Sequence, residues 1–378
     1  MNERRGAGGR PPDRKYSVIF LGAGASKAAG LPLTEELLRH LWPREHEATS
    51  TPWDDFKTAR QWKTDLESAV KVLYPDGESD GFRPLVSEFF TLLEVMDRVH
   101  SGRERLPLDA GELLQSLRSE IALGLIRAVD GQRRRTARLP QYKWLTSSVG
   151  RPAVIVTSNW DTISEQAALR AGLNVSLGWP RTKSGDRLKE LPAKTVVILK
   201  LHGSTDWGRA DDPRVLAAAR EWEYERLDVV VEPGVTRRRH SRDGSEQIVR
   251  FRTYDHPVAS ERARMGFDEP LMATMAAGKD TFISDLQGIW DDAYWVLSRA
   301  DKLDIVGYSF PSDDLELRTL LRVSTRRAGA AGLSDGVEVA VCNPSPDTHD
   351  RARSFLGMDL VSSYEGAGAW RMRRRKSS

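Results

Sequence analysis

The chain has 378 residues, of which 29% are charged and 39% hydrophobic, so its composition is that of a globular protein with a large core. No apolar run approaches the ~20 residues of a membrane span, and no apolar segment follows Met1, so we expect a cytoplasmic protein with no membrane association. Cys342 is the only cysteine, which excludes an intrachain disulfide and a cysteine-rich zinc site.

Five short apolar runs predict strands that are buried on both faces. They cover residues 16–21, 154–158, 196–201, 303–308 and 337–342. Helical patterns lie between them, so we predict an α/β protein with a doubly wound, Rossmann-like parallel sheet.

The chain divides into three parts by composition. Residues 1–15 are polar and basic and predict a disordered lead, residues 16–346 form the main domain, and residues 347–378 form an extension with a basic tail. Within the main domain, residues 34–149 predict a helical insert, with helices over 34–41, 56–73, 85–99 and 111–129. Residues 207–283 are charged and predict an irregular excursion.

A further helix is expected to begin near Ser284, a good N-cap residue. Its apolar residues recur at helical spacing and should face the core; they are Leu286, Ile289, Trp290, Ala293, Val296 and Leu297.

Positive charge is concentrated in three clusters, although the formal net charge is only +3. The clusters are residues 133–135, 237–239 and 371–376. Arginine and lysine clusters can bind the phosphates of nucleic acid or of a cofactor. No aromatic-interleaved basic patch accompanies them, so solvated surface is the favoured interpretation and direct nucleic-acid binding stays open.

The first predicted strand leads into a glycine turn. Residues 16–33 read YSVIFLGAGASKAAGLPL and predict a strand, a turn and a helix in that order. Glycine has no Cβ, so the backbone at Gly22 and Gly24 can approach a phosphate closely, and a helix start adds a positive dipole. This order is required of a dinucleotide-binding turn. A tight turn between a core strand and a helix is the alternative interpretation.

Polar residues follow the other four predicted strands, at the edge where a doubly wound sheet binds its ligands. The motifs are TSNWD, KLHGS, GYSFPSDD and NPSP. Each also has an ordinary structural interpretation: Asn159 can cap a helix, and His202 can be a core histidine. Asp313 or Asp314 can cap a helix over residues 315–322. Their joint placement on consecutive strand ends favours a ligand site.

These segments resemble the sirtuin (silent information regulator) family, and its bacterial stand-alone and antiphage-defence branch more than its protein deacylases. Five motifs occur in the family's order, namely GAGAS with GLP, TSNWD, KLHGS, GYSFPSDD and NPSP. They extend from Gly22 to Pro346, and the inserts between them carry no recognisable motif.

The resemblance implies NAD+ as the bound molecule and a role for each matching position. Asn159 would bind the nicotinamide ribose and help place an attacking water. Asp161 would hold the carboxamide of nicotinamide, and His202 would be the general base. The resemblance further implies a set of NAD-binding residues: Gly22, Ala23, Gly24, Ser26, Ser158, Gly203, Gly307, Ser309 and Asn343.

Chemistry favours the same residue types. Cleavage of the glycosidic bond of NAD+ builds oxocarbenium character on the ribose while neutral nicotinamide leaves. The site therefore needs polar groups that fix the ribose and the carboxamide, and a base that titrates near the working pH.

Three departures from the deacylases bear on the substrate. One cysteine cannot form their four-cysteine zinc module, so no metal is expected. Ser158 stands where they have glutamine, and Leu33-Thr34-Glu35 stands where they have an Asp-Phe-Arg element. Water is then the expected acceptor, and the expected reaction is hydrolysis of NAD+ to nicotinamide and ADP-ribose.

Two other functions stay open on the sequence. One is a protein deacylase or ADP-ribosyltransferase, for which we find no substrate groove. The other is a non-catalytic module that senses NAD+ or ADP-ribose, against which the presence of both Asn159 and His202 counts. Cyclisation of the ADP-ribose product is also open.

The resemblance implies a cellular role and partners as well. Enzymes of the related branch deplete NAD+ during phage infection and are held inactive until triggered. We therefore expect a homo-oligomer, with a hexameric DNA-translocating ATPase of the HerA class as a possible partner.

Overall fold

The computed structural model of the chain describes residues 16–27, 29–38, 60–74, 84–100, 109–131, 144–145, 153–182, 184–210, 224–226, 247–251, 270–273, 283, 286–330 and 337–367. The expected N-terminal lead, the three basic clusters and Ser284 lie outside these residues. Of the helices that are described, none has the length and apolar character needed to cross a membrane.

A seven-stranded parallel sheet forms the centre of the protein and confirms the predicted fold class. Its strands run in the order β11-β10-β9-β1-β2-β4-β3. In chain order they are β1 (Tyr16–Leu21), β2 (Ala153–Thr157), β3 (Asn174–Ser176), β4 (Thr195–Lys200), β9 (Ala300–Val306), β10 (Glu338–Cys342) and β11 (Val361–Ser363). All neighbouring pairs in this sheet are parallel.

Helices pack around this sheet and in a separate layer. They are α1 (Gly24–Lys27), a 3-10 turn (Thr34–Glu36), α2 (Arg60–Leu73), α3 (Val86–His100), α4 (Ala110–Gly131), α5 (Ile163–Arg170), α6 (Gln287–Leu297), α7 (Leu315–Ala330) and α8 (Pro346–Leu356). The six apolar residues that should face the core from α6 are all buried. The described part of the expected C-terminal extension, residues 347–367, contains most of α8 and all of β11. Strand β11 pairs with β10.

Two hydrophobic cores account for most of the buried apolar surface. The first surrounds the central strands, where Val18, Ile19 and Phe20 of β1 are fully buried. The second lies among α2, α3 and α4 of the helical insert. Trp160 and Ile163 belong to this second core, so the helical layer packs against the loop that follows β2.

The region expected to be an irregular excursion differs from that expectation where it is described. Four strands form an antiparallel sheet in the order β6-β7-β5-β8. They are β5 (Gly203–Ala210), β6 (Tyr224–Arg226), β7 (Gln247–Phe251) and β8 (Pro270–Met272). Short charged strands of this kind lack the apolar run or clear alternation by which a strand is recognised in a sequence.

The chain changes direction across the sheet at β1. From β1 it proceeds to β2 on one side, and it later returns to β9 on the other side. The carboxyl ends of β1 and β9 therefore frame the position at which doubly wound folds bind their ligands.

Three glycines allow the loops after β1 and β9 to touch. A Cβ on Gly22 would lie 2.6 Å from the Tyr308 Cα, and one on Gly24 would lie 2.9 Å from the Gly307 Cα. A Cβ on Gly307 would lie 2.2 Å from the Ala25 nitrogen. The backbone of each loop thus occupies the space that a side chain of the other would need.

We predict that Gly307→Ala destabilises the protein more than Gly172→Ala. Both glycines have positive φ, at +67° and +72°, but nothing lies within 4 Å of a Cβ added at Gly172. The backbone strain alone should cost about 1 kcal/mol at Gly172. The added clash should cost about 2 kcal/mol more at Gly307. Urea unfolding measures both free energies, and equal costs would contradict the close approach of the loops.

Cys342 ends β10 and is buried, with its thiol donating to the Glu365 carbonyl at 3.3 Å. Burial raises the pKa of the Cys342 thiol from 9.0 to about 11. Because the thiolate is the reactive form, we predict that a thiol reagent at pH 8 modifies the native protein about 100-fold more slowly than the urea-unfolded protein. A native rate equal to the unfolded rate would show that Cys342 is accessible.

Candidate active site

The candidate site lies where β1, β2, β4 and β9 end. Backbone hydrogen bonds join these ends in pairs. The Gly22 N–H donates to the Val306 carbonyl at 3.0 Å, and the Leu201 N–H donates to the Thr157 carbonyl at 2.9 Å. The Ser158 N–H donates to the Leu21 carbonyl at 3.2 Å. The loops that follow the four strands consequently start from fixed positions.

The backbone N–H groups of the glycine turn after β1 are mostly used in hydrogen bonds within the protein. The N–H groups of Gly24, Ala25 and Ser26 donate to the carbonyls of Gly307, Gly22 and Ala23. The helix that follows, α1, is a single turn of four residues, so its dipole is small. The demonstrable role of Gly22 and Gly24 is therefore the close approach to Gly307.

Ser26, Asn159 and Asp161 form one hydrogen-bonded group. The Ser26 hydroxyl donates to Asp161 Oδ2 at 2.6 Å and accepts from Asn159 Nδ2 at 3.0 Å. Asn159 Nδ2 also donates to the Gly22 carbonyl at 3.0 Å, which fixes the orientation of the amide. Ser26 is buried and links the loop after β1 to the loop after β2.

This group leaves specific atoms for a ligand. Both N–H bonds of the Asn159 amide donate within the protein, so the side-chain atom left for a ligand is Oδ1, which can accept a hydrogen bond that the ligand donates. Asp161 Oδ1 accepts from the Ile163 N–H at 2.9 Å, and each carboxylate oxygen keeps a second lone pair. The site therefore offers acceptors for hydroxyl or amide protons.

A second contact orients Asn159 through its backbone. The Asn159 N–H donates to Thr157 Oγ1 at 3.0 Å, and the Thr157 hydroxyl donates to the Leu21 carbonyl at 2.9 Å. Thr157 is buried at the end of β2. Asn159 is thus held at both its main chain and its side chain.

A buried ion pair supports the loop that carries Asp161. Lys200 Nζ lies 3.0 Å from Glu165 Oε1, and both side chains are fully buried. Lys200 Nζ also donates to the carbonyls of Trp160 and Asp161, at 3.3 and 2.6 Å. The three donors of the ammonium group are therefore all used, two of them to hold the backbone of this loop.

His202 follows β4, and the residues just after it are hydrogen-bonded to the same loop. The Trp160 carbonyl accepts from Ser204 Oγ at 3.2 Å and from the Thr205 N–H at 3.0 Å. Gly203, beside His202, has φ +75°, which glycine adopts readily. His202 is 6% exposed, and its Nε2 lies 3.5 Å from Asp314 Oδ1 without a hydrogen bond to any described residue.

The loop after β9 brings Tyr308 to the site. The Tyr308 hydroxyl donates to Asp314 Oδ2 at 3.1 Å, and its ring packs edge-on against Phe20 at 5.1 Å. Burial, and secondarily the Asp314 carboxylate, raise the pKa of Tyr308 well above its ordinary value of 10.0. The Tyr308 hydroxyl therefore keeps its proton and remains a hydrogen-bond donor to Asp314 throughout the neutral range.

Ser309 and Asn343 lie at the same sheet edge, after β9 and β10. Ser309 is exposed, and its carbonyl accepts from Arg351 Nε at 3.1 Å. Asn343 Nδ2 donates to the Tyr308 carbonyl at 3.4 Å, and its Oδ1 accepts from the Ser345 N–H at 2.9 Å. The two loops are thus connected through Asn343.

The structure brings some of the predicted site residues together more closely than others. Ser26 is hydrogen-bonded to both Asn159 and Asp161, and Ser204, two residues after His202, donates to the Trp160 carbonyl in the loop that carries Asp161. Five other predicted residues border the same edge without a side-chain hydrogen bond to Ser26, Asn159 or Asp161; they are Ala23, Ser158, Gly203, Ser309 and Asn343.

Sequence reasoning overlooked the residues that support this group. Lys200, Glu165, Thr157 and Tyr308 were passed over, and Asp314 was considered only as a helix cap. The lysine in the otherwise apolar run VVILKL, residues 196–201, was the one available signal, because a buried ammonium group requires a partner. Within the described residues, no group of three or more histidine, cysteine, aspartate and glutamate side chains is placed to hold a metal ion.

Comparisons with known proteins find likeness only among solved structures. No protein-family profile matches the chain. No curated protein matches it either. A Sir2 homologue in complex with NAD is 14% identical with a TM-score of 0.40, over 94% of this chain and 86% of that one.

Two further structures are similar at the same level. A mutant Sir2 homologue in complex with 2'-O-acetyl ADP-ribose is 13% identical with a TM-score of 0.39, over 94% of this chain and 88% of that one. A structure that concerns the structural basis of sirtuin substrate affinity is 12% identical with a TM-score of 0.38, over 93% of this chain and 90% of that one. These values are low, and the fold class rests on the chain's own strand order.

We predict that Lys200→Met lowers the free energy of unfolding by about 3–5 kcal/mol, because it removes the cation that faces the buried Glu165 carboxylate. Lys27→Met is the matched control, since the Lys27–Glu36 pair is solvent-exposed and should contribute less than about 1 kcal/mol. Adding Glu165→Gln to Lys200→Met should recover part of the loss. Equal effects of the two lysine substitutions in urea unfolding would contradict a supporting role for the buried pair.

Proposed function

We propose that the protein is an NAD+ glycohydrolase that cleaves NAD+ to nicotinamide and ADP-ribose. The observation that carries the proposal is the bonded group of Ser26, Asn159 and Asp161 at the carboxyl ends of β1 and β2, with His202 following the neighbouring strand β4. It lies next to the position where the chain reverses direction across the sheet, which is where doubly wound folds bind nucleotides. The five motifs of the sequence supply the same residues in the order that the sirtuin resemblance implies.

Each residue has a chemical task in this proposal. The Asp161 carboxylate accepts from the carboxamide N–H of the nicotinamide, and Asn159 Oδ1 accepts from a ribose hydroxyl or from the attacking water. As the glycosidic bond breaks, its electron pair leaves with neutral nicotinamide and the ribose takes on oxocarbenium character. Water then forms the new C–O bond, and His202 accepts the proton that the water loses.

The rigidity of the site suits this reaction. Asn159 is held at its backbone and its amide, and Asp161 is held at both carboxylate oxygens and its carbonyl. Groups fixed in this way lose little freedom when the substrate binds, so binding energy goes into alignment of the reacting atoms.

The wider role that we propose is an antiphage effector that depletes cellular NAD+ when triggered. A constantly active enzyme of this kind would harm its own cell, so we propose control by homo-oligomerisation or by a HerA-class hexameric ATPase. Support for this role comes from the motif resemblance alone. NAD+ is the substrate in this proposal, and no metal ion takes part.

The test is nicotinamide release from NAD+ by the purified protein and by Asn159→Ala and His202→Ala. Each substitution should lower the rate at least ~100-fold, because each removes a positioning or proton-accepting group. Asn174→Ala is a matched control, since Asn174 is exposed on the edge strand β3. It should keep the wild-type rate. The assay is repeated at high protein concentration and with any co-purifying ATPase, in case the resting enzyme is silent.

The products separate the alternatives. Linear ADP-ribose supports hydrolysis, whereas a cyclic product would replace hydrolysis by cyclisation at the same site. Turnover that survives both Asn159→Ala and His202→Ala would show that the site is wrong. Binding of NAD+ with no nicotinamide release under any condition would favour a sensor over an enzyme.

A further inference from the structure

The Asp314 carboxylate faces the His202 imidazole although the two residues follow distant strands. His202 follows β4 and Asp314 follows β9, and β1 and β2 lie between these strands. Three strand spacings separate the two strand ends by about 14 Å. The 3.5 Å between His202 Nε2 and Asp314 Oδ1 therefore requires the loop over residues 307–314 to cross the carboxyl ends of β1 and β2.

Several contacts hold this crossing in place. The Gly307 N–H donates to the Cys342 carbonyl at 3.0 Å, and the Gly307 carbonyl accepts from the Gly24 N–H at 2.9 Å. Phe310 is fully buried with φ +53°, a conformation that costs energy for a side chain of this size. Burial of the ring favours this conformation of the loop.

Asp314 occupies the N-cap position of α7. Its carbonyl accepts from the Arg318 N–H at 3.1 Å, the first bond of the helix. An N-cap aspartate is commonly exposed, but Asp314 is only 6% exposed. Burial of a carboxylate is costly unless the carboxylate is paired or hydrogen-bonded. Helix capping alone therefore does not explain why the Asp314 carboxylate is buried and faces His202.

The two oxygens of Asp314 face different groups. Oδ2 accepts from the Tyr308 hydroxyl, and Oδ1 is the oxygen nearest the imidazole. Other charged groups nearby are Arg318 and Asp313, which act on Tyr308. Lys200, two residues before His202, faces Glu165 instead. Among the described residues, Asp314 is thus the charged group that faces the imidazole.

We propose that Asp314 is a positioning residue for His202. Its carboxylate selects the tautomer in which the ring nitrogen facing Asp314 carries the proton, so the other nitrogen presents its lone pair to the reactant. The carboxylate also stabilises the imidazolium that forms when His202 takes up a proton, and Tyr308 holds the carboxylate in place. The catalytic consequence rests on the proposed hydrolase function, whereas the tautomer does not.

The experiment compares Asp314→Asn, Tyr308→Phe and Asp313→Asn in the full-length protein. Asparagine caps helices about as well as aspartate, so Asp314→Asn removes the charge while keeping the cap and the shape. Tyr308→Phe keeps the ring and removes the donor. Asp313 is exposed and adjacent, so Asp313→Asn is the matched control for loss of one carboxylate.

Two readouts are measured for each variant. The first is nicotinamide release, with kcat and KM for NAD+ determined separately. The second is the pair of imidazole ¹⁵N chemical shifts of His202 in protein labelled at histidine, assigned by their loss in His202→Ala. These shifts report which ring nitrogen carries the proton, and a purely structural role of Asp314 would not alter them.

Asp314→Asn is expected to lower kcat at least ~100-fold with less than about a threefold change in KM, and to abolish the single-tautomer shift pattern. Tyr308→Phe should lower kcat about 3–10-fold, because the carboxylate remains but is less firmly held. Asp313→Asn should match the wild type in both readouts. An unchanged kcat and an unchanged tautomer pattern in Asp314→Asn would overturn the proposal.

The outcomes distinguish this proposal from the proposed function. If the wild type releases no nicotinamide, the hydrolase proposal fails, and the ¹⁵N shifts still decide whether Asp314 sets the tautomer. If Asp314→Asn does not fold, Tyr308→Phe carries the test. In that variant a 3–10-fold lower kcat or a mixed shift pattern supports the proposal, and a kcat and a pattern both identical to the wild type overturn it.

Discussion

The contact between the loop after β1 and the loop after β9 is the constraint on which the rest of the site depends. Gly22, Gly24 and Gly307 leave no room for a Cβ, and the Gly24 N–H donates across the contact to Gly307. This contact sets where Ser26 begins its turn and where the crossing loop starts. Ser26 and Tyr308 belong to these two loops, and Asn159 and Asp161 are held by their hydrogen bonds to Ser26.

A second feature of the site is that its polar groups are buried and largely bonded to one another. Ser26 joins Asn159 to Asp161, and Lys200 binds the backbone beneath Asp161 while it pairs with Glu165. A buried network of this kind is stable only when its members are satisfied, so it also specifies one geometry. His202 Nε2 differs, since it is buried close to Asp314 without a hydrogen bond to a described residue.

The helical insert adds a different constraint. Its core includes Trp160 and Ile163, which flank Asp161 on either side. The loop that carries the proposed carboxamide-binding residue is thus packed between the sheet and the insert. A change in the packing of α2, α3 and α4 would act on this loop directly, which gives the insert a physical connection to the site.

The parallel sheet and the polar residues at its edge could be predicted from the sequence, because buried parallel strands have continuous apolar runs and ligands bind at their carboxyl ends. Strands β3 and β11 could not be predicted, because each has only three residues, NVS and VSS, and so is too short to show a pattern. The charged strands β5 to β7 could not be predicted either, because they lack an apolar run or a clear alternation. The contact of Lys200 with Glu165, and that of Asp314 with His202 across two intervening strands, became evident only in the folded structure. Contacts between residues 35 or 112 positions apart depend on how loops cross in space, and no local periodicity records that.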